Sequence, residues 1–438
     1  MIAVVRYADL LPEQQALLMA RGSAENDTDL RQRVAAIVDQ VKQQGDAALH
    51  QFAQSFDGVT RAQFRLSEQE KMLGVDGLDP ALLTAISTAK THIETFHRAQ
   101  YPESKKVETA PGVVCEWHWR AIETVGIYVP GGTAPLFSSV LMQAIPAMVA
   151  GCKRVVLCTP PQRGESGGGS VHPAILAAAR LCGITEIFAL GGAQAIAAMA
   201  FGTASVPKVD KIFGPGNAYV TMAKQLVSQD PAGAAIDLPA GPSEVMVIAD
   251  AGARADWVAA DLLAQAEHDG DAHVVLLTTC PDLAAAVAVA VEQQLALLPR
   301  QAIAAVSIAK SHILVVADMD QAVAIANSYA PEHLIIHHPD AASFVPRIQH
   351  AGSVFVGEWT PESVGDYASG TNHVLPTSGY ARAYSGLTVL SFMKSMTVQQ
   401  LTRQGLEHLA PTVLAMAQAE GLAAHANAVA IRLKKGTV

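Results

Sequence analysis

From about residue 124 onward, short β-rich runs alternate with amphipathic segments of helical length: TVGIYVPGG, SSVLMQAIPAMVAG, RVVLCTPP, HPAILAAARLCG, EIFALGG, AQAIAAMAFG, KIFGPG and NAYVTMAKQLVSQ. Strands joined by helices in this way pair parallel, with the helices on the faces of the sheet. After DLPAGPSE the pattern restarts with VMVIAD and runs through HVVLLTTC, DLAAAVAVAVEQQLALL, HILVVAD, QAVAIANSYA, EHLIIHH and GSVFVG. Two α/β units are the simplest account of the restart. At roughly 150 residues per domain, the chain has room for about three domains, or for two large ones with appendages.

The first hundred residues read as helical. In LDPALLTAISTAKTHIETFHRAQ, Asp79 can cap and Pro80 can open a helix whose Leu82, Ile86, Ala89, Ile93 and Phe96 share one apolar face. Beyond about residue 388 the chain reads as helical again, ending in EGLAAHANAVAIRLKKG. The stretch RGESGGGS at 163–170 is the only low-complexity segment and reads as a surface loop between a strand and a helix.

Half the residues are hydrophobic and only 16% are charged, with aromatics at 5%, so aliphatic side chains supply the burial expected of a folded α/β enzyme. A net charge of −10 gives no basic footprint for nucleic acid or an anionic membrane, which leaves small molecules as the expected partners. The longest purely apolar run, LAAAVAVAV at 283–291, is far short of the ~20 residues that span a bilayer. MIAVVRYADLLPEQQ breaks into charge too early for a signal peptide, so a cytoplasmic location is expected. Five cysteines, an odd number without CxxC spacing, argue against a disulfide framework or a cysteine zinc site.

No GxGxxG fingerprint occurs. Instead YVPGG (128–132), LGGAQ (190–194) and FGPGN (213–217) close predicted strands with small-residue turns, at the strand ends where α/β sheets bind cofactors. Each turn alone is explained by a tight βα connection; three in one sheet point toward a nucleotide-sized ligand. In LLAQAEHDGD (262–271), a helix from about Asp256 to His268 sets Gln265 and His268 on one face and turns Glu267 about 100° away. Glutamine is an uncommon zinc ligand, and a histidine at a helix C-terminus is favoured by the dipole without any metal, which on residue chemistry alone is the simpler account.

In APEHLIIHH (330–338), Glu332 stands beside His333 just before a β run. A carboxylate–imidazole pair suits proton transfer, although neighbours in a strand point to opposite faces. His337 and His338 read as strand-end residues without a function. The polar, glycine-punctuated run PESVGDYASGTNHVLPT (361–377) holds Asp366 and His373 and is the kind of loop that carries sites on a rigid scaffold. His425 shares a helical face with Leu422, Ala426 and Val429, a place that the edge of an apolar face explains by itself.

Taken together, AGPSEVMVIAD, LLAQAEHD, APEHLII, PESVGDYASGTNHVLPT and VPGGTAPLFSSVLM resemble the histidinol dehydrogenases, zinc- and NAD-dependent enzymes that end histidine biosynthesis. The likeness runs from about residue 25 through the last helix, and the 361–377 run is highly specific. It implies two incomplete Rossmann-like parallel-sheet units in an intertwined homodimer. The implied division is an N-terminal helical segment (1–26), a discontinuous first α/β domain with the zinc and catalytic residues (27–127 plus 243–387), an NAD-binding second α/β domain (128–242), and a helical tail reaching the partner subunit (388–438).

The resemblance further implies one zinc per site, held by Gln265, His268 and Asp366 and completed by His425 of the partner subunit. Glu332 and His333 correspond to the acid–base residues. Ser243 and Glu420 match substrate-contacting positions, together with Gln265, His268, His333, Asp366 and His425; Tyr128, Gln194 and Asn217 match NAD-contacting ones. His373 falls near the substrate with its role open. The implied reaction oxidises L-histidinol through L-histidinal to L-histidine with two NAD reduced. The departures are the glycine-rich insertion near 163–170 and the tryptophans of CEWHWR at 115–120, and neither touches a matched site residue. From spacing alone, a zinc-dependent α/β hydrolase fits nearly as well, and a two-lobed small-ligand binding protein is the non-enzymatic alternative. Reduction of NAD separates the dehydrogenase from the hydrolase, and the binding protein is expected to show no turnover at all.

Overall fold

A computed structural model describes residues 2–19, 28–131, 135–162, 169–238 and 241–434. Residues 20–27, Gly132 of the YVPGG turn and 163–168 of the glycine-rich loop lie outside the described residues. In chain order the strands are β1 (Ala3–Arg6), β2 (Lys105–Ala110), β3 (Val113–Ala121), β4 (Thr124–Tyr128), β5 (Arg154–Thr159), β6 (Glu186–Ala189) and β7 (Lys211–Phe213). They continue as β8 (Ala235–Ile236), β9 (Glu244–Ala249), β10 (His273–Thr278), β11 (His312–Val315), β12 (His333–His337), β13 (Ser353–Val356) and β14 (Met393–Leu401). The chain divides into two compact units, Met1–Gln100 with Ile122–Phe392, and Tyr101–Ala121 with Met393–Val438.

The first unit holds two parallel sheets, ordered β6-β5-β4-β7-β8 and β1-β11-β10-β9-β12-β13. Without β1 their winding is the same: a first strand, two more added on one side, then a return to the other side for the last two. These are the two incomplete Rossmann-like units expected from the sequence, each with its switch point beside the first strand, β4–β7 in one and β9–β12 in the other. Strands β9 and β12 are buried along their whole length, which is why Val245–Ala249 and Leu334–Ile336 run continuously apolar instead of alternating. One face of the larger sheet packs on Val258, Leu262, Val287 and Ile308, and the other on Ala322, Val323, Ala326 and Tyr329 of the helix Met319–Tyr329.

The helix Pro80–Arg98 forms where Asp79 and Pro80 predict it, with the Asp79 carboxylate accepting from the Ala81 N–H at 2.9 Å. Ile86, Ala89 and Ile93 are buried as expected, but Phe96 is exposed and His97 takes the inward place. His97 is satisfied there by the Ile93 carbonyl, 2.7 Å from Nδ1.

Elsewhere the structure departs from the sequence reading. Residues 3–6 of the expected N-terminal helical piece form an edge strand, pairing Ala3 with His312. The helix Thr28–Gln44, expected in the catalytic domain, buries Leu30, Val34, Ile37, Val38 and Val41 in one cluster with Phe188, Ile196 and Met199 of the five-stranded sheet's layer. Strand β4 is the first strand of that sheet and starts at Thr124, ahead of the expected boundary at 128.

The second unit opens on strands, not helices. It is an antiparallel sheet β14-β3-β2 followed by helices Arg403–Ala419 and Ala423–Leu433. All of β14 beyond Met393 is exposed, so no apolar alternation announces it. Among the described residues no helix is long and apolar enough to cross a membrane. All five cysteines are free thiols.

Candidate active site

A cleft in the first unit receives the amino ends of β9 and β12 from one side and the loops that follow β7 and β8 from the other. The helix Met319–Tyr329 ends at Ala330, whose φ of 55° and ψ of 64° are left-handed, a conformation that a side chain with a Cβ seldom adopts. The turn lifts Glu332 out of the strand, which begins only at His333. Gly352 packs against this turn so closely that a Cβ on it would stand 2.6 Å from the Glu332 carbonyl oxygen. Strand alternation therefore does not apply to the pair, and Glu332 and His333 both enter the cleft.

Glu332 accepts from the Glu244 N–H at 2.8 Å. Nδ1 of His333 lies 3.0 Å from the Glu244 carbonyl. A carbonyl only accepts, so Nδ1 carries a hydrogen and is committed there, which leaves Nε2, 3.6 Å from Asp366, as the nitrogen that can exchange a proton. His333 thus faces the cleft with one nitrogen only.

The helix Ala255–Ala266 brings Gln265, 1% exposed, to the same cleft, and His268 follows just past its end with solvent access. Opposite them the short helix Glu362–Tyr367 supplies Glu362 and Asp366, one turn apart on one face. One ligand atom each from His268, Glu362 and Asp366 lie within 4.8 Å of one another. With its amide nitrogen turned to Glu362, Gln265 donates to both carboxylate oxygens, at 3.2 Å to Oε2. Glu267 and Asp269 are not among these ligand atoms, which for Glu267 agrees with the sequence reading.

Four carboxylates, Glu244, Glu332, Glu362 and Asp366, are buried around one imidazole. Burial pushes Glu332 up to about 8 against the pull of His333 and the Glu244 N–H. It drives Glu362 well above the carboxylate range, with Asp366 and Glu332 adding repulsion. Burial would lower His333, but Glu362, Glu332 and Asp366 hold it well above its ordinary value. Asp366, despite burial, stays below the usual range through His333. His268, although solvent reaches it, is held low by the protein crowding its ring.

Buried charge of one sign needs a counter-ion. The nitrogen and oxygen donors here fit a divalent cation, which reverses the upward drift of the carboxylates. Glu244 and Glu362 escaped the sequence reading. For Glu362 the signal was present, since it precedes Asp366 by one helical turn in the run already singled out.

The loop after Asp366 is clamped in place. His373 Nδ1 donates to the Asp366 carbonyl at 2.8 Å, and its Nε2 meets Ser139 Oγ at 3.1 Å. Asn372 donates to the Met142 carbonyl at 2.6 Å and lies 3.3 Å from His97 Nε2. Ser243, half-buried, lines the cleft just before β9.

On the other sheet, Tyr128 ends β4, Gln194 lies in the first turn of the helix Gly192–Phe201 after β6, and Asn217 caps the helix Ala218–Gln229 after β7. All three stand at the carboxyl edge of one sheet, with Tyr128 and Asn217 flanking its switch point. Tyr128, buried, accepts from the Gly192 N–H through its hydroxyl at 3.1 Å, and burial pushes its pKa up to about 12. The turn at Gly214 has φ 121°, and a Cβ there would collide with the Tyr128 carbonyl oxygen, so only glycine lets the β7 turn close on β4. Lys224 and Asp237, a buried ion pair, hold the same turn, Lys224 donating to the Gly214 carbonyl at 2.8 Å and Asp237 accepting from its N–H at 2.8 Å. A crevice at a switch point with close backbone approach fits a dinucleotide. Glu420 and His425 belong to the second unit, where both are exposed, Glu420 at the end of the helix Arg403–Ala419 and His425 in the helix Ala423–Leu433.

The sequence profile of the family described as histidinol dehydrogenase matches residues 20–433. The histidinol dehydrogenase of Vibrio cholerae is 51% identical over 431 residues, 98% of this chain and 98% of that protein. That of Pectobacterium atrosepticum is 53% identical over 421 residues, 96% of this chain and 93% of that protein. The crystal structure of histidinol dehydrogenase from Elizabethkingia anophelis superposes with a TM-score of 0.94 at 44% identity, covering 99% of this chain and 98% of the other.

Proposed function

Because the chain belongs to the histidinol dehydrogenase family, NAD-dependent oxidoreductases of the last step of histidine biosynthesis, we propose that this cleft oxidises L-histidinol through L-histidinal to L-histidine with two NAD reduced. The observation that carries the reading is the meeting of Gln265, His268, Asp366, Glu332 and His333 in one cleft with the carboxyl-edge turns of the second sheet. The division of labour follows the sheets: zinc and catalysis on the six-stranded one, NAD on the five-stranded one.

Gln265, His268 and Asp366 would hold zinc, completed by His425 of the partner subunit in a homodimer. Zinc supplies a template that fixes the imidazole and amino groups of histidinol, so that the reacting carbon is held for hydride loss. Ser243 and the partner's Glu420 add polar contacts to the substrate. Tyr128, Gln194 and Asn217 would hold NAD, which supplies the hydride acceptor. His373, locked between Asp366 and Ser139, orients the loop that carries Asp366.

His333 Nε2 takes the hydroxyl proton of the alcohol as the carbon gives up hydride, because its other nitrogen is committed to the Glu244 carbonyl. Glu332, which exchanges its proton near neutrality, removes a proton from the water that adds to the aldehyde. The hydrate then loses a proton and the second hydride, and the carboxylate product leaves. Water provides the second oxygen. Five free thiols match work in a reducing compartment, and we place the enzyme in the cytoplasm.

The test is reduction of NAD by L-histidinol, followed by its absorbance. Activity is expected to fall to background on chelation and to return with zinc; zinc-replete protein that leaves NAD oxidised would overturn the reading, as the hydrolase alternative requires. The shared site has its own test. His425→Ala and His268→Ala chains, each inactive, are expected to regain about half of wild-type activity per mixed dimer on co-refolding, since one of two sites is intact. Proven mixed dimers without recovery would refute it.

A further inference from the structure

A neutral glutamine amide is an unpromising metal ligand, and its two ends are nearly the same in shape but opposite in role. The oxygen can bind a cation, whereas the NH2 group cannot. What decides the matter is which end faces the metal. In this chain Gln265 is 1% exposed and Glu362 is also 1% exposed, so neither can turn to water for a partner. With the amide nitrogen turned to it, Gln265 meets both Glu362 oxygens, and the ionised carboxylate that a bound cation favours offers acceptors only. One of the two amide orientations is therefore satisfied and the other is not. The satisfied one sends the Gln265 oxygen away from Glu362, in a side chain that lines the same cleft as His268 and Asp366.

We propose that Glu362 is a positioning residue that locks the Gln265 side chain with its oxygen presented to the metal held by His268 and Asp366. The inference rests on the zinc reading above and goes beyond it. Glu362 also lies within ligand distance of His268 and Asp366, but its oxygens face the Gln265 amide, so it acts through that residue. The accepted N–H bond draws electron density toward the amide oxygen, making it a better donor, as outer partners do for metal-bound histidines. Buried and one helical turn from Asp366, Glu362 is carried by the same short helix, so the lock and one ligand move as one piece.

The experiment measures zinc affinity by competition with a chromophoric chelator, using the full-length protein with and without substitutions. Glu362→Gln keeps the shape but can satisfy either orientation of the Gln265 amide, and zinc is expected to bind ~10–100-fold more weakly, the range for lost outer-shell partners. The distinguishing measurement is the same substitution in a Gln265→Ala background. There Glu362→Gln is expected to cost no more than about twofold, because the residue it acts through is gone. A full further loss in that background would show that Glu362 binds or attracts the metal by itself and would overturn the proposal, as would wild-type affinity in Glu362→Gln alone. Glu362→Asp, which keeps the charge but withdraws the acceptor, gives a second route should the glutamine variant fold poorly; it is expected to weaken zinc at least ~5-fold, and unchanged affinity would overturn the proposal. Failure of the wild-type protein to bind zinc would instead overturn the reading on which the inference rests.

Discussion

The two parallel sheets of the first unit wind in the same order yet face the cleft with opposite ends. The five-stranded sheet presents its carboxyl edge, where the helices Gly192–Phe201 and Ala218–Gln229 begin. The six-stranded sheet presents its amino edge, where the helices Ala255–Ala266 and Met319–Tyr329 end. Helix starts carry partial positive charge and helix ends partial negative charge. One edge therefore suits the phosphates of a dinucleotide, and the other suits a metal cation and stays crowded with carboxylates. One winding repeated in the chain offers two opposite electrostatic edges because the cleft meets it from opposite ends.

The sharpest way to break this contrast is at Glu332. Glu332→Gln is expected to slow oxidation of the aldehyde by ~10²–10⁴-fold, the usual share of general acid–base catalysis, while oxidation of the alcohol falls much less. Separate assays of the two half-reactions check this, and equal slowing would reassign the proton transfers. On the opposite edge, Gly214→Ala adds a Cβ against the Tyr128 carbonyl at a left-handed φ, with an expected cost of ~1–3 kcal/mol. It should raise the KM for NAD about tenfold or more and leave zinc affinity unchanged; equal damage to both ligands would show that the edges are not independent.

The smallest effect probes the seam between them. His97 ties Asn372, in the loop after Asp366, to the helix Pro80–Arg98, and Asn372 reaches the Met142 carbonyl of the helix covering the other sheet. Burial lowers the His97 pKa below 6.5, against backbone bonds to Ile93 and Leu387 that raise it. The unfolded chain then binds this proton at a higher pH than the folded one. Its contribution to stability is intact above about pH 6.5 and is lost as the pH falls below it. Between pH 7.5 and 5.5 the wild type is expected to lose about 1 kcal/mol more than His97→Gln in denaturant titrations. Parallel losses in the two proteins would put the acid sensitivity elsewhere.

The alternating runs from 124 to 356 made both sheets legible, because buried parallel strands leave continuous apolar signatures. Strand β14 and its partners left none, since a strand exposed on most of its length has no face to mark. Within the site, Glu332 and His333 were legible as a pair but not as neighbours on one side of a strand. The turn that permits this lies in Ala330, a residue whose identity gives no hint of a left-handed backbone. Gln265 drew doubt as a ligand because its chemistry was judged alone, and the carboxylate that answers the doubt is 97 positions away in sequence. Contacts of that kind are fixed by the sheet order, which spacing along the chain does not reveal.

The edge strand Ala3–Arg6 has a further consequence for how the protein is made. Its partner, which begins at His312, is translated long after it, whereas the strands of the five-stranded sheet arrive in one stretch from Thr124 to Ile236. The five-stranded half can close on itself while synthesis continues, and the six-stranded half must wait, its edge strand held in reserve until the chain is nearly finished. The ribosome thus imposes an order on the two halves that the finished fold does not display.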